Sequence, residues 1–210
     1  LFSKYSENAN GIDDILQTWR SSNEKSVIIV YPMLIFFIIN AKNFVVALYG
    51  EQYMVSSDYF IIGNLAGFFN IIVFQSVVFA LGKTKIYSRI FLIQAVFIWF
   101  LGFILVYFKG SSISYAYLSR ILFISQICFG IYYSTRLLKV NLMNVIPFKL
   151  ILKTFLHSLS IGALVSWILN IFNLNIFIEL VTAGFLSAIL ILVSGSYFNI
   201  CYWPTLRSML

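Results

Sequence analysis

Apolar residues fill six long stretches of the chain, and polar or charged segments separate these stretches. Each stretch approaches the roughly 20 residues that an α-helix needs to cross the ~30 Å hydrocarbon core of a bilayer. The apolar runs lack the polar–apolar alternation of barrel strands. The pattern therefore predicts an all-α fold, a polytopic transmembrane helix bundle with six spanning helices. The predicted spans are residues 27–48, 59–81, 90–108, 115–135, 155–174 and 176–198.

The composition supports a membrane setting and excludes an ordinary soluble domain. Hydrophobic residues make up 61% of the 210 residues and charged residues 10%, whereas a soluble domain has about 25% charged residues. A soluble fold of this size cannot bury so much apolar surface, and the excess would aggregate. The lipid bilayer is therefore the first partner that we expect.

The basic residues divide unevenly between the two sides of the predicted spans. If successive spans alternate in direction, 11 of the 14 Lys and Arg residues fall on one side, and Lys42, Lys109 and Arg120 fall on the other. Positive residues concentrate on the cytoplasmic side of membranes, so both ends of the chain are predicted to be cytoplasmic. This asymmetry accounts for the net charge of +7. We expect no nucleic-acid partner, because the basic residues form no patch with interleaved aromatic residues.

Four segments follow from this topology. Residues 1–26 are predicted to form a cytoplasmic amphipathic connector, because Ile12, Ile15, Leu16 and Trp19 share one face of a helix. The remaining segments are four transmembrane helices at 27–140, a cytoplasmic basic linker at 141–154, and a terminal transmembrane hairpin with a cytoplasmic tail at 155–210.

Three charged residues lie within the predicted spans, where charge is costly and often functional. Arg120 lies about one turn inside the fourth span. Either it faces a cavity and binds an anionic group, or its long side chain extends to the nearby membrane interface. The same two interpretations apply to Lys42 near the outer end of the first span. Glu179, one turn into the sixth span, is either a proton or sodium site or an interfacial residue.

The second predicted span has one polar face. Its small and amide residues fall within an arc of about 140° on a helix. These residues are Gly63, Asn64, Gly67, Asn70 and Gln75. The glycine pair lets another helix approach closely. The amides of Asn64, Asn70 and Gln75 either line a polar cavity or bond across a helix contact, and the pattern alone leaves both interpretations open.

The sequence contains no recognisable catalytic or metal-binding motif. His157 is the only histidine and has no acidic residue close in sequence, and the two cysteines, Cys128 and Cys201, are far apart. Acid–base catalysis needs a positioned partner for the histidine, and a metal site needs several ligands at short spacings. We therefore expect no enzymatic activity, no catalytic residues, no metal and no cofactor.

Three short motifs occur in order along the first half of the chain. They are YP at 31–32, ALYGEQY at 47–53 and ALGKTK at 80–85. This ordered set resembles the lipid-linked polysaccharide flippases, which belong to the multidrug/oligosaccharidyl-lipid/polysaccharide exporter superfamily. In that family a connector leads to a proline-bearing helix, an outer Gly–Glu–x–Tyr turn and a cytoplasmic Gly–Lys–Thr–Lys loop. The resemblance extends over residues 1 to about 110.

The resemblance implies a MATE-like fold of two bundles, of which this chain would be the C-terminal part, the last six of about fourteen helices. The missing N-terminal helices would then be a partner. The implied function is to move a polyprenyl-pyrophosphate-linked oligosaccharide across the bacterial cytoplasmic membrane by alternating access. The implied substrate-binding residues are the cations Arg120 and Lys42 and the amides Asn64, Asn70 and Gln75.

Three other classes of function remain open from the sequence. The first is an exporter of drugs or of another lipid-linked precursor in the same superfamily; a drug exporter would need an intramembrane acid for ion coupling, and Glu179 is the only acid within a predicted span. The second is a membrane enzyme, either an acyltransferase or a polysaccharide polymerase. A polymerase would be expected to have a large outer loop, whereas the longest predicted outer connection has ten residues, 49–58. The third is a purely structural membrane subunit.

Overall fold

The computed structural model describes residues 11–109, 112–172 and 174–208, and within these ranges every regular element is helical. The long helices are α1 (Gly11–Ile39), α3 (Ser56–Asn70), α5 (Thr84–Lys109), α6 (Ser112–Leu138), α8 (Phe148–Ile171) and α9 (Ile176–Gly195). Shorter helices are α2 (Ala41–Tyr49), α4 (Gln75–Ala80), α7 (Leu142–Val145) and α10 (Tyr202–Arg207), and a 3₁₀ turn covers Glu51–Tyr53. The predicted all-α class is confirmed for this part of the chain.

Five of the described helices are long and apolar enough to cross a membrane. The qualifying segments are Asp13–Ile39, Thr84–Phe108, Ser112–Leu138, Phe148–Ile171 and Ile176–Gly195. In the most apolar part of α5 only 6% of the residues are buried inside the protein. Such a surface is stable in contact with lipid but not with water. The chain is therefore a helical membrane protein, with five spanning helices by this measure rather than the predicted six.

The prediction that residues 27–48 form a single helix with those bounds is wrong. Helix α1 has already begun at Gly11 and runs without a break through residues 11–26 of the predicted connector to Ile39; residues 1–10 of the connector lie outside the described residues. The next residue, Asn40, shares the Phe36 carbonyl between its backbone N–H at 3.1 Å and its side-chain amide at 3.0 Å. Such side-chain bonds to a carbonyl one turn back often accompany a bend in a helix. The remainder of the predicted span forms the separate helix α2.

The second predicted span, 59–81, is wrong as one continuous helix. Helix α3 ends at Asn70 and α4 begins at Gln75, so residues 71–74 interrupt the helical hydrogen bonding. The two pieces have 15 and 6 residues, and neither alone reaches the ~20 residues of a span. This interruption explains why five helices are long enough to cross the membrane and not the predicted six.

Two motif glycines occupy turns that require positive φ. Gly50 ends α2 with φ 92°, and Gly82 follows α4 with φ 66°. Glycine has no Cβ and adopts these angles without strain. The turns that the sequence motifs predict at these positions are therefore present.

The described chain forms two compact units. By the described residues, one unit contains residues 11–23, 69–109 and 112–147, and the other contains residues 24–68, 148–172 and 174–208. The chain passes between them three times: inside α1, near the end of α3, and at the start of α8. Below, they are called the α5–α6 unit and the α8–α9 unit.

In the α5–α6 unit, helices α5 and α6 pack along each other. Ile15 and Trp19 on the first part of α1 are each only 1% exposed. Two members of the apolar stripe predicted for the connector are thus covered by protein, and a third, Leu16, is half-buried. The ring of Phe74, from the interruption between α3 and α4, lies against the backbone of Gly130 on α6.

In the α8–α9 unit, small residues permit close helix contacts. Gly162 on α8 lies under the side chain of Ile39, and a Cβ on Gly184 of α9 would lie 3.5 Å from the ring of Phe36. Val165, Leu169 and Ala183 form a buried cluster between α8 and α9. Small residues at these positions let neighbouring helices approach closely.

Candidate functional site

The interruption between α3 and α4 leaves a backbone carbonyl that a side chain satisfies. The Ile72 N–H bonds to the Phe69 carbonyl at 3.3 Å and not to Phe68, its α-helical partner. The hydroxyl of Tyr31 donates to the Phe68 carbonyl at 3.3 Å, and the two aromatic rings are in edge contact at 4.8 Å. Because an unpaired carbonyl is costly away from water, Tyr31 stabilises the end of α3.

Amide side chains lie at both ends of the interruption. Asn70 is exposed at the last position of α3, and Gln75 is half-buried at the first position of α4, where its side chain faces the Tyr87 hydroxyl. Asn64, two turns earlier, is half-buried and donates to the Phe60 carbonyl of its own helix at 2.8 Å. Asn70 and Gln75 are therefore the predicted site residues closest to the irregular backbone.

Arg120 lies elsewhere on the α5–α6 unit. It is exposed on α6. The interruption contacts α6 at Gly130, through Phe74, and Arg120 lies ten residues before that point. At about 1.5 Å per residue this separation is about 15 Å along the helix. Arg120 is thus not adjacent to the interruption.

Two further predicted site residues, Lys42 and Glu179, belong to the α8–α9 unit. Glu179, in the first turn of α9, accepts a hydrogen bond from the side-chain amide of Asn43 on α2 at 3.0 Å. Asn43 follows the exposed Lys42 in the chain. Glu179 is half-buried, so its carboxyl is held at the contact between α2 and α9.

A polar cluster that the sequence reasoning missed surrounds His157. The imidazole is 6% exposed, with Nδ1 at 3.1 Å from the Tyr202 hydroxyl and Nε2 at 2.9 Å from the Ser194 hydroxyl. These contacts connect α8, α9 and α10. The α10 residue lies in the predicted cytoplasmic tail, 45 positions along the chain, so spacing alone gives no sign of the contact.

The hydrogen bonds around His157 determine its tautomer. The Ser194 hydroxyl donates to the Leu190 carbonyl, so it accepts from Nε2–H. Burial raises the pKa of the Tyr202 hydroxyl, which keeps the phenol protonated and able to donate to Nδ1. The network therefore holds a neutral imidazole with its hydrogen on Nε2.

The wall around this cluster is polar and tightly packed. Thr154 and Ser158 are almost fully buried beside His157; their hydroxyls face that of Tyr202 without reaching full hydrogen-bond geometry. The Tyr202 ring lies so close to Gly195 that a Cβ there would meet it at 2.3 Å. Thr154, His157 and Ser158 share one face of α8 at i, i+3 and i+4, and this spacing is the signal that sequence reading could have used.

A separate cavity of about 400 Å³ lies between α5 and α6. Its walls are mostly apolar, with Gln94, Ser125 and Gln126 as polar members. Gln126 is 5% exposed, and its side-chain oxygen has no hydrogen-bond partner in the described part of the chain. This buried amide was not predicted either.

Comparisons with known proteins leave the chain without a recognised relative: no family model matches it, nor does any curated protein or solved structure. Among the residues that the structure describes, no group of three or more His, Cys, Asp or Glu is placed to hold a metal ion. The described structure is therefore that of a helical membrane protein with irregular backbone between α3 and α4, a buried polar cluster around His157 and a buried amide at Gln126.

Proposed function

We propose that the chain is the C-terminal part of a flippase that moves a polyprenyl-pyrophosphate-linked oligosaccharide across the bacterial cytoplasmic membrane. The motifs at 31–32, 47–53 and 80–85 support this proposal through their resemblance to that family. The asymmetric charge supports an orientation with basic loops and both ends of the chain in the cytoplasm.

The observation that most favours transport is the interruption at residues 71–74. Irregular backbone at membrane depth is tolerated only where protein covers it or where it lines a water-filled cavity. Interrupted helices are a recurrent feature of the binding sites of transporters. Together α3, the interruption and α4 cover residues 56–80, which is enough to cross the bilayer as a broken sixth span of a MATE-like bundle.

The polar residues fit a substrate whose glycan and pyrophosphate must cross an apolar layer. Asn70 and Gln75 flank the interruption and offer hydrogen bonds to sugar hydroxyls, and Asn64 lies two turns from it. Arg120 and Lys42 are exposed cations that would attract the pyrophosphate. In this proposal Glu179 is the candidate for ion coupling, with Asn43 positioning its carboxyl.

The test uses the complete gene product in a strain whose own gene has been deleted. Deletion is expected to abolish surface polysaccharide and to leave the lipid-linked oligosaccharide facing the cytoplasm. A variant with Asn70→Ala and Gln75→Ala is expected to export roughly thirtyfold less, since two lost hydrogen bonds of about 1 kcal/mol each, about 2 kcal/mol together, slow the step by about that factor. Export is measured as labelled polysaccharide at the cell surface per unit of immunoblotted protein.

The matched control exchanges the same residue types elsewhere. Gln17 and Asn170 are exposed on α1 and α8, so a Gln17→Ala and Asn170→Ala variant is expected to export normally. Normal export from the deletion strain would refute the proposed function. An equal loss of export in both double variants would show that Asn70 and Gln75 do not contact the substrate.

A further inference from the structure

The surface beside His157 forms a cleft of about 330 Å³ between α8 and α9. One side consists of α8 residues at positions i, i+3, i+4, i+7 and i+8, which share one face of a helix. The lining residues are Lys153, Leu156, His157, Ser160, Ile161, Ser194 and Phe198. From Lys153 to Ile161 the cleft extends about 12 Å along α8.

The cleft has a cationic end and apolar walls. Lys153 is half-buried there, and the lining described by the structure includes no acidic side chain. Leu156 and Phe198 are 51% and 52% exposed and therefore offer apolar surface beside the ammonium group. Such an arrangement complements an amphiphile that has an anionic head and an apolar chain.

The floor of the cleft is rigid. His157 is fixed by hydrogen bonds to Tyr202 and Ser194, and its ring contacts that of Phe198 at 4.9 Å. The hydroxyls of Ser160 and Ser194 already donate to backbone carbonyls of their own helices. Lys153 is thus the one lining residue with N–H donors that no described hydrogen bond uses, and it determines where an anion binds.

We propose that this cleft binds the phosphate group of an anionic phospholipid at Lys153, with an acyl chain along Leu156 and Ile161. A charge-assisted bond from a lysine to phosphate is stronger than a neutral hydrogen bond, and it strengthens when lipid excludes water. The acyl chain contributes through the apolar area that it covers. The inference does not depend on the transport function proposed above.

The test measures lipid binding to the purified, delipidated protein by native mass spectrometry. Phosphatidylglycerol and phosphatidylcholine with identical acyl chains are titrated separately. We expect phosphatidylglycerol to bind more tightly, and Lys153→Gln to raise its Kd about fivefold with little effect on phosphatidylcholine. Lys153→Arg, which retains the charge, is expected to keep most of the affinity.

Lys149 provides the matched control. It lies one turn earlier on α8 and is exposed but does not line the cleft, so Lys149→Gln is expected to leave the Kd unchanged. Equal effects of Lys149→Gln and Lys153→Gln, or no effect of either, would overturn the proposal. Displacement of the lipid by inorganic phosphate at the same concentration would assign the cleft to free phosphate and overturn the lipid assignment.

Discussion

Replacing Gly130 with alanine is expected to lower the free energy of unfolding by about 3 kcal/mol. A Cβ on Gly130 would lie 2.2 Å from the nearest ring carbon of Phe74, and two further ring atoms would be within 2.5 Å. The Phe74 ring is 2% exposed and belongs to the short segment between α3 and α4. It cannot withdraw without moving that segment, so the strain is not relieved by a simple rotation of a side chain.

The measurement is unfolding in mixed detergent micelles with increasing sodium dodecyl sulfate, followed by circular dichroism. Gly63→Ala is the matched control, because no atom lies within 4 Å of the Cβ position at Gly63. That substitution is expected to be neutral or to stabilise α3 by up to about 1 kcal/mol, since alanine favours helices over glycine. Similar unfolding midpoints for both variants would show that Phe74 does not pack against Gly130.

Replacing Trp19 with alanine is expected to cost about 4 kcal/mol, the range observed when a large buried aromatic side chain is removed. Trp19 is 1% exposed, in a segment whose polarity alone suggests the membrane surface. Trp19→Phe should cost less, because the indole N–H of Trp19 has no hydrogen-bond partner in the described structure and phenylalanine removes that unpaired donor.

The control for Trp19 is the same substitution at a lipid-facing position. Trp99 on α5 is 81% exposed, so Trp99→Ala is expected to change the unfolding free energy by less than about 0.5 kcal/mol. Both variants are compared by the same micelle unfolding assay. A larger loss at Trp99 than at Trp19 would contradict the burial of the first part of α1 in the α5–α6 unit.

The helical class of the fold and the approximate positions of the long helices could be predicted, because an apolar run of about 20 residues can form few structures other than a helix in lipid. The two interruptions could not be predicted in the same way. Residues 71–74 are Ile, Ile, Val and Phe, which give no local signal to end a helix. The ends there depend on distant contacts, namely Phe74 with Gly130 and Tyr31 with the Phe68 carbonyl.

The candidate site shows the same division between local and distant information. Asn70 and Gln75 could be identified because amides are costly in an apolar span, and both lie at the interruption. The cluster around His157 could not be identified, since its partners come from α9 and α10, 37 and 45 positions away. A lone histidine in a sequence gives no indication of which hydroxyls will surround it.

Labelling both ends of one helix tests whether these helices cross a bilayer. Lys149 lies in the first turn of α8 and Phe172 directly follows its last residue, about 35 Å away at about 1.5 Å per residue. Single cysteines are placed at each position in a protein whose exposed Cys128 and Cys201 have been changed to serine. An impermeant maleimide added to intact spheroplasts is expected to label Phe172→Cys and to reach Lys149→Cys only after lysis. Labelling of both positions from the same side would show that α8 does not cross the bilayer.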